Sequence, residues 1–155
     1  MIKHALTVLA LSVLALPSPM YAKQPDQVAG QHQDFQVALH EVLEASRAWI
    51  AAFNAGNARA CAEAYLDHAT MEAKPFGSYV GRQAILAFWT DLIGKGARNL
   101  AYTHIKIEQP DVNTMLLSAD WSMNIGGGHI SRERWVKQGG RWMLAEDRFE
   151  VLHQN

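Results

Sequence analysis

Carboxylates crowd into one short stretch near the end of the chain. ERWVKQGGRWMLAEDRFEV runs from Glu133 to Val151 and carries Glu133, Glu146, Asp147 and Glu150 among apolar residues. Gly139-Gly140 sits between two runs suited to strands, which predicts a β-hairpin with a two-residue turn. In that register Gln138 faces Arg141, Arg132 faces Asp147 and Glu133 faces Glu146. Opposed acids repel unless one is protonated, a cation bridges them, or a bulge changes the register. Two close carboxyl groups can also share one proton, which raises one pKa and creates a general acid. The stretch is thus either a bulged, solvated face or the polar end of a site using Glu133, Glu146 or Asp147.

Few other residues offer chemistry. His104 lies mid-strand in Tyr102-Thr103-His104-Ile105. Its imidazole titrates near neutrality, so it suits either proton transfer or a structural surface role. His129, Ser131 and Glu133 share one face of a predicted strand, with no second histidine near them in sequence. There is no HExxH, paired histidine or cysteine cluster, so no metal site is expected. Nucleophile-elbow, P-loop and dinucleotide fingerprints are also absent, so no cofactor is expected. Gly126-Gly127-Gly128 lacks a strand-to-helix setting and reads as a turn. Cys61 is the only cysteine, which excludes an internal disulfide; within Ala60-Cys61-Ala62 it reads as a buried helix thiol.

These groups need elements to hold them. Asp34 could cap a helix from Phe35, with an apolar stripe at Leu39, Val42, Leu43, Trp49, Ile50 and Phe53. Asn54-Ala55-Gly56 ends that helix, and Asn57 caps a second over Ala58 to Leu66. A short strand over Ala69 to Lys74 and a turn at Pro75-Phe76-Gly77 follow. Gly81-Arg82 precedes a third helix with Ile85, Phe88, Trp89 and Leu92 on one face. Then come four strands, near 99–108, 114–125, 129–137 and 141–152. Helices grouped before a meander predict an α+β fold, with three N-terminal helices packed on a curved antiparallel β-sheet.

The start of the chain differs from the rest. A short basic start and the apolar run Ala5 to Leu16 precede Pro17-Ser18-Pro19 and Tyr21-Ala22. This predicts a signal peptide over 1–22, export to the periplasm or medium, and no stable membrane insertion after cleavage. Residues 23–33 are polar and aperiodic and read as a flexible lead. Residues 34–155 then form a single domain. The whole chain's 49% hydrophobic content suits one core, and its net charge of −1 gives no sign of a nucleic-acid partner, so none is expected.

WIAAFNAGNARACAEAYL, GSYVGRQAILAFW and WVKQGGRWMLAEDRFEV together resemble the nuclear transport factor 2-like superfamily. It includes ketosteroid isomerases, SnoaL-like polyketide cyclases and the association domain of calcium/calmodulin-dependent kinase. The resemblance covers roughly 35–152 and implies a cone: a strongly curved sheet around helices, with a small-molecule pocket at one end, often in a homodimer. It implies no single reaction. SnoaL-like cyclases end on a strand similar to Glu-His-Trp-Asp-Val; here Asp147-Arg148-Phe149-Glu150-Val151 stands there, with Arg for His and Glu for the last Asp. Asp147 falls where many SnoaL-like members direct an Asp at the pocket. The resemblance thus implies Asp147 as a base, with His104 or Tyr65 as proton donor, in cofactor-free isomerisation or cyclisation. The same pocket could instead hold a ligand without turnover. Trp49, Phe53, Met71, Trp89, Tyr102, Trp121, Glu133 and Trp135 are the expected lining of a site for a hydrophobic, aromatic ligand.

Overall fold

A computed structural model describes residues 25–155, so the expected signal segment 1–22 lies outside the described residues. Helix α1 is Pro25–Asn54, so it begins ten residues before the start read at Phe35. The expected flexible lead therefore belongs, from residue 25, to this helix. Proline at the first helical position forfeits no hydrogen bond. Within the polar run the described side chains His32, Gln33 and Asp34 are exposed on this helix. Ala38, Val42, Ser46, Trp49 and Phe53 form the buried stripe at helical spacing. Asn54 closes α1 and clamps the chain at Leu100: its Oδ1 accepts from the Leu100 N–H at 2.7 Å, and its Nδ2 donates to the Leu100 carbonyl at 2.9 Å.

Asn57 caps α2, Ala58–Glu63, by accepting the Ala60 N–H at 3.0 Å. The second helix is shorter than expected, and Tyr65 opens strand β1, Tyr65–Lys74, instead of closing the helix. Strand β2, Gly77–Val80, pairs antiparallel with β1, and α3 is Arg82–Gly94. Four strands follow: β3 (Ala101–Asp111), β4 (Thr114–Met123), β5 (Gly126–Gln138) and β6 (Arg141–Gln154). The sheet order is β2-β1-β6-β5-β4-β3. The expected α+β architecture is the one found, with one difference: β1 and β6 run parallel, so the sheet is mixed. The meander brings its last strand back beside the first, and that closure puts Tyr65 next to the acidic strand. Gly126-Gly127-Gly128 is not a turn; it begins β5, and the turn is Asn124-Ile125.

The hairpin register holds near its tip and then slips. Gln138↔Arg141, Lys137↔Trp142, Val136↔Met143 and Trp135↔Leu144 pair as the two-residue turn requires. Beyond them Arg134 pairs with Glu146 and Glu133 with Asp147, so Ala145 is an extra residue on β6. Side chains alternate along a strand, so one inserted residue inverts all that follows. Strict alternation from Leu144 would send Glu146 and Arg148 inward. The bulge instead turns Asp147, Phe149 and Val151 in. A second irregularity at Ser131-Arg132 keeps both Ile130 and Glu133 buried, which separates Glu133 from the face of His129.

Candidate functional site: a carboxyl pair behind an aromatic cavity

Glu133 and Asp147 are the buried acids of the described chain, 2% and 4% exposed. They face each other across β5 and β6, and each is held by a tyrosine. The Tyr65 hydroxyl donates to Asp147 Oδ2 at 2.6 Å across 82 residues of sequence. The Tyr102 hydroxyl donates to Glu133 Oε1 at 2.9 Å, and the Trp135 indole N–H donates to Glu133 Oε2 at 2.8 Å. Arg82 sets the position of Tyr65: its guanidinium donates twice to the Tyr65 carbonyl, at 2.9 and 2.6 Å. The Gly81-Arg82 entry to α3 thus serves to pin the strand that carries the tyrosine.

Burial pushes both carboxyls above the ordinary carboxylate range. For Glu133 the charge of Asp147 adds to burial, while the bonds from Trp135 and Tyr102 pull the other way. For Asp147 the Tyr65 bond opposes burial, and the charge of Glu146 reinforces it. Burial, with the facing carboxylates, drives both tyrosine hydroxyls well above their usual value. Both hydroxyls therefore remain donors at neutral pH. Two facing acids in an apolar wall cannot both ionise easily, so the pair retains a proton into the neutral range.

Asp147 and Tyr102 sit on the wall of a cavity lined also by Trp49, Phe76, Trp89, Leu92, Leu100, Trp121, Met123, Ile125, Gly126, Ile130, Phe149, Val151 and Gln154. The recess with its open mouth holds about 610 Å³. Trp89 and Phe149 stack at 5.9 Å, and Trp121 meets Phe149 edge-on at 6.3 Å. Asp147 is the one carboxyl among the lining residues.

The expected lining divides in two. Trp49, Trp89, Tyr102 and Trp121 line the cavity; Phe53, Met71, Glu133 and Trp135 do not. Phe53 is fully buried against Trp49 and Trp89. Met71 pairs beside Asp147 from β1, and Trp135 is committed to Glu133. Of the three residues expected to move protons, Asp147 is on the wall and Tyr65 is behind it. His104 is not at the cavity: its side chain is 80% exposed and its Nδ1 meets Asp120 Oδ2 at 2.9 Å. It has φ of 51° at an irregularity between Thr103 and Lys106, which breaks the alternation an inward placement assumed. Glu146 turns to the outer face, against Arg134 and Arg148. Cys61 is the buried thiol expected, and burial pushes its pKa up to about 12. Phe149 and Val151 were overlooked as lining, although they share the parity of Asp147.

The comparisons with known proteins agree with this geometry at the level of fold. No curated relative matches the sequence. A scytalone dehydratase-like protein from Novosphingobium aromaticivorans superposes with a TM-score of 0.71 at 12% identity, over 80% of this chain and 90% of that one. A ketosteroid isomerase-like protein from Erwinia carotovora atroseptica gives 0.64 at 16% identity, over 74% and 96%. A hexachlorocyclohexane dehydrochlorinase gives 0.64 at 11% identity, over 80% and 91%. At such identities these likenesses show the fold alone. Residues 46–147, from the core of α1 to the cavity carboxyl itself, match the SnoaL-like domain, and the chain belongs to that family.

Proposed function

We propose that the cavity binds a flat hydrophobic small molecule and moves a proton on it without a cofactor, with Asp147 exchanging that proton. One observation carries this reading: a single buried carboxyl, anchored by a buried tyrosine, stands on an otherwise largely apolar wall. A carboxylate raised towards neutrality by burial is a stronger base than a solvated one, and it gains most against a weakly acidic C–H. Tyr65 holds Oδ2 and leaves Oδ1 for the substrate. In the step proposed, a proton on carbon next to a carbonyl passes to Asp147, and the C–H electron pair moves towards the carbonyl oxygen. In a substrate with a C=C bond adjoining that carbon, return of the proton at the far end of the double bond shifts it into conjugation and completes an isomerisation; without that bond the proton returns to the same carbon as exchange.

Deuterium uptake by 1-indanone in heavy water, followed by NMR, is the test. Asp147→Asn lowers protein-dependent exchange by about 10²–10⁴-fold, the usual range for loss of one general base. Equal exchange with the protein, the variant and buffer alone would defeat the reading. Binding without turnover is the second reading. It is favoured by the place of His104, which leaves the wall without a histidine to partner Asp147.

The sequence also leads us to propose export with cleavage after Ala22, and a homodimer. Mass spectrometry of protein recovered from the periplasm, native and denatured, checks both. A denatured mass that retains residues 1–22, or a native mass of one chain, would defeat the respective proposal.

A further inference from the structure

The chain has five tryptophans. Trp49 donates its indole N–H to the Cys61 carbonyl at 3.2 Å, Trp135 to Glu133 and Trp142 to Glu41, both at 2.8 Å. The indole N–H groups of Trp89 and Trp121 are buried and have no partner among the described residues. Both residues line the cavity, at 4% and 8% exposure. A buried donor without an acceptor is disfavoured, and proteins rarely leave one without a reason. Two among the residues lining one cavity, in a chain whose other tryptophans are satisfied, need a common explanation.

We propose that Trp89 and Trp121 are the acceptor-recognising residues of the cavity, and that its ligand is a flat hydrophobic molecule bearing a carbonyl-type oxygen that receives one or both indole N–H bonds. The inference rests on the cavity reading above and narrows it to a ligand class. The elements give it support. Trp89 is held on α3 by Trp49, Phe53 and Phe149, at ring separations of 5.1, 5.8 and 5.9 Å. Trp121 on β4 is wedged against Gly128, where a Cβ would stand 2.8 Å from its ring. Neither indole can turn easily to seek another acceptor, so the donors are pre-organised. Asp147 lines the same cavity. A carbonyl oxygen held by the indoles would sharpen the acidity of the neighbouring C–H, since the bonds strengthen as negative charge gathers on oxygen.

The pair 1-indanone and indane isolates the effect, because the two share a ring frame and differ in the acceptor. The full protein binds 1-indanone at least about tenfold more tightly than indane, as a site with waiting donors discriminates against a ligand lacking the acceptor. In nitrogen-15 spectra the ketone moves the Nε1–H signals of Trp89 and Trp121 and leaves those of Trp135 and Trp142 in place. Trp121→Phe and Trp89→Phe keep an aromatic ring and remove the donor. Each lowers the ketone-to-hydrocarbon affinity ratio, by about tenfold if that indole carries the bond. The ratio cancels any loss of shape, and the wild-type spectra stand if a variant does not fold. Equal affinity for the two probes, or unmoved Trp89 and Trp121 signals on ketone binding, overturns this inference and leaves the cavity reading intact. No binding of either probe overturns both.

Discussion

The folded state weakens as the pH rises from about 5 to about 8, and Glu133→Gln removes much of that loss. The sign follows from the direction of the shifts. Glu133 and Asp147 titrate higher in the folded chain than in the unfolded one, because burial disfavours their charge. Acids raised in this way contribute full stability below the unfolded value, near 4, and lose it as the pH climbs through the folded values. Across that window the folded chain holds protons that the unfolded chain has released. A proton retained throughout tilts stability by about 1.4 kcal/mol per pH unit, so the loss over these three units is about 4 kcal/mol. Glu41 and Asp120 are shifted down and lose stability only in acid, below this window. Glu133→Gln removes one member of the pair and relieves the repulsion it exerts on Asp147. Urea midpoints of protein and variant across the window provide the check. Parallel pH profiles would mean that the two carboxyls are not coupled to folding as described.

Gly128→Ala lowers stability by about 3 kcal/mol, among the larger effects a single methyl group can have. A Cβ at Gly128 would run into the backbone carbonyl of Glu150 and the Trp121 ring together. The carbonyl belongs to the neighbouring strand and cannot swing aside as a side chain could. Relief requires β5 and β6 to part at the register shift between Gly127 and Gly128. Trp121 would move with them, so affinity for a cavity ligand falls as well. Gly94→Ala is the matched control, since a Cβ there meets nothing within 4 Å. It changes stability little, or raises it slightly by restricting the unfolded chain. Thermal unfolding of the two variants side by side decides the matter; similar midpoints would show that the close approach at Gly128 is tolerated.

Much of the scaffold was legible because its signals are local. Helical spacing marked Val42, Trp49 and Phe53 as a buried face, and two glycines marked the hairpin tip and its first four pairs. The motifs at Gly81-Arg82 and around the last strand carried the family resemblance. Helix ends were less legible. The polar run before Phe35 is compatible with a helix or with coil, and nothing local separates them. The glycine triplet opens a strand rather than a turn because of its neighbours on other strands: a Cβ at Gly128 would meet Glu150 and Trp121, and one at Gly126 or Gly127 would meet His153.

The sequence by itself determined the ingredients: an α+β order of elements, an aromatic-rich interior and a cluster of acids on the last hairpin. The tertiary structure decided which acids are buried and which one lines the cavity. Side-chain direction in a strand has a period of two, so a single extra residue reverses it, and the bulge at Ala145 has no local signature. The bulge turns Asp147 inward beside Phe149 and sends Glu146 outward to Arg134 and Arg148. The parallel pairing of β1 with β6 supplies Tyr65 to Asp147 from far along the chain, and α3 adds Trp89 to the cavity lining. These contacts form only when the sheet closes on the helices, because the burial that shapes them depends on all the elements together.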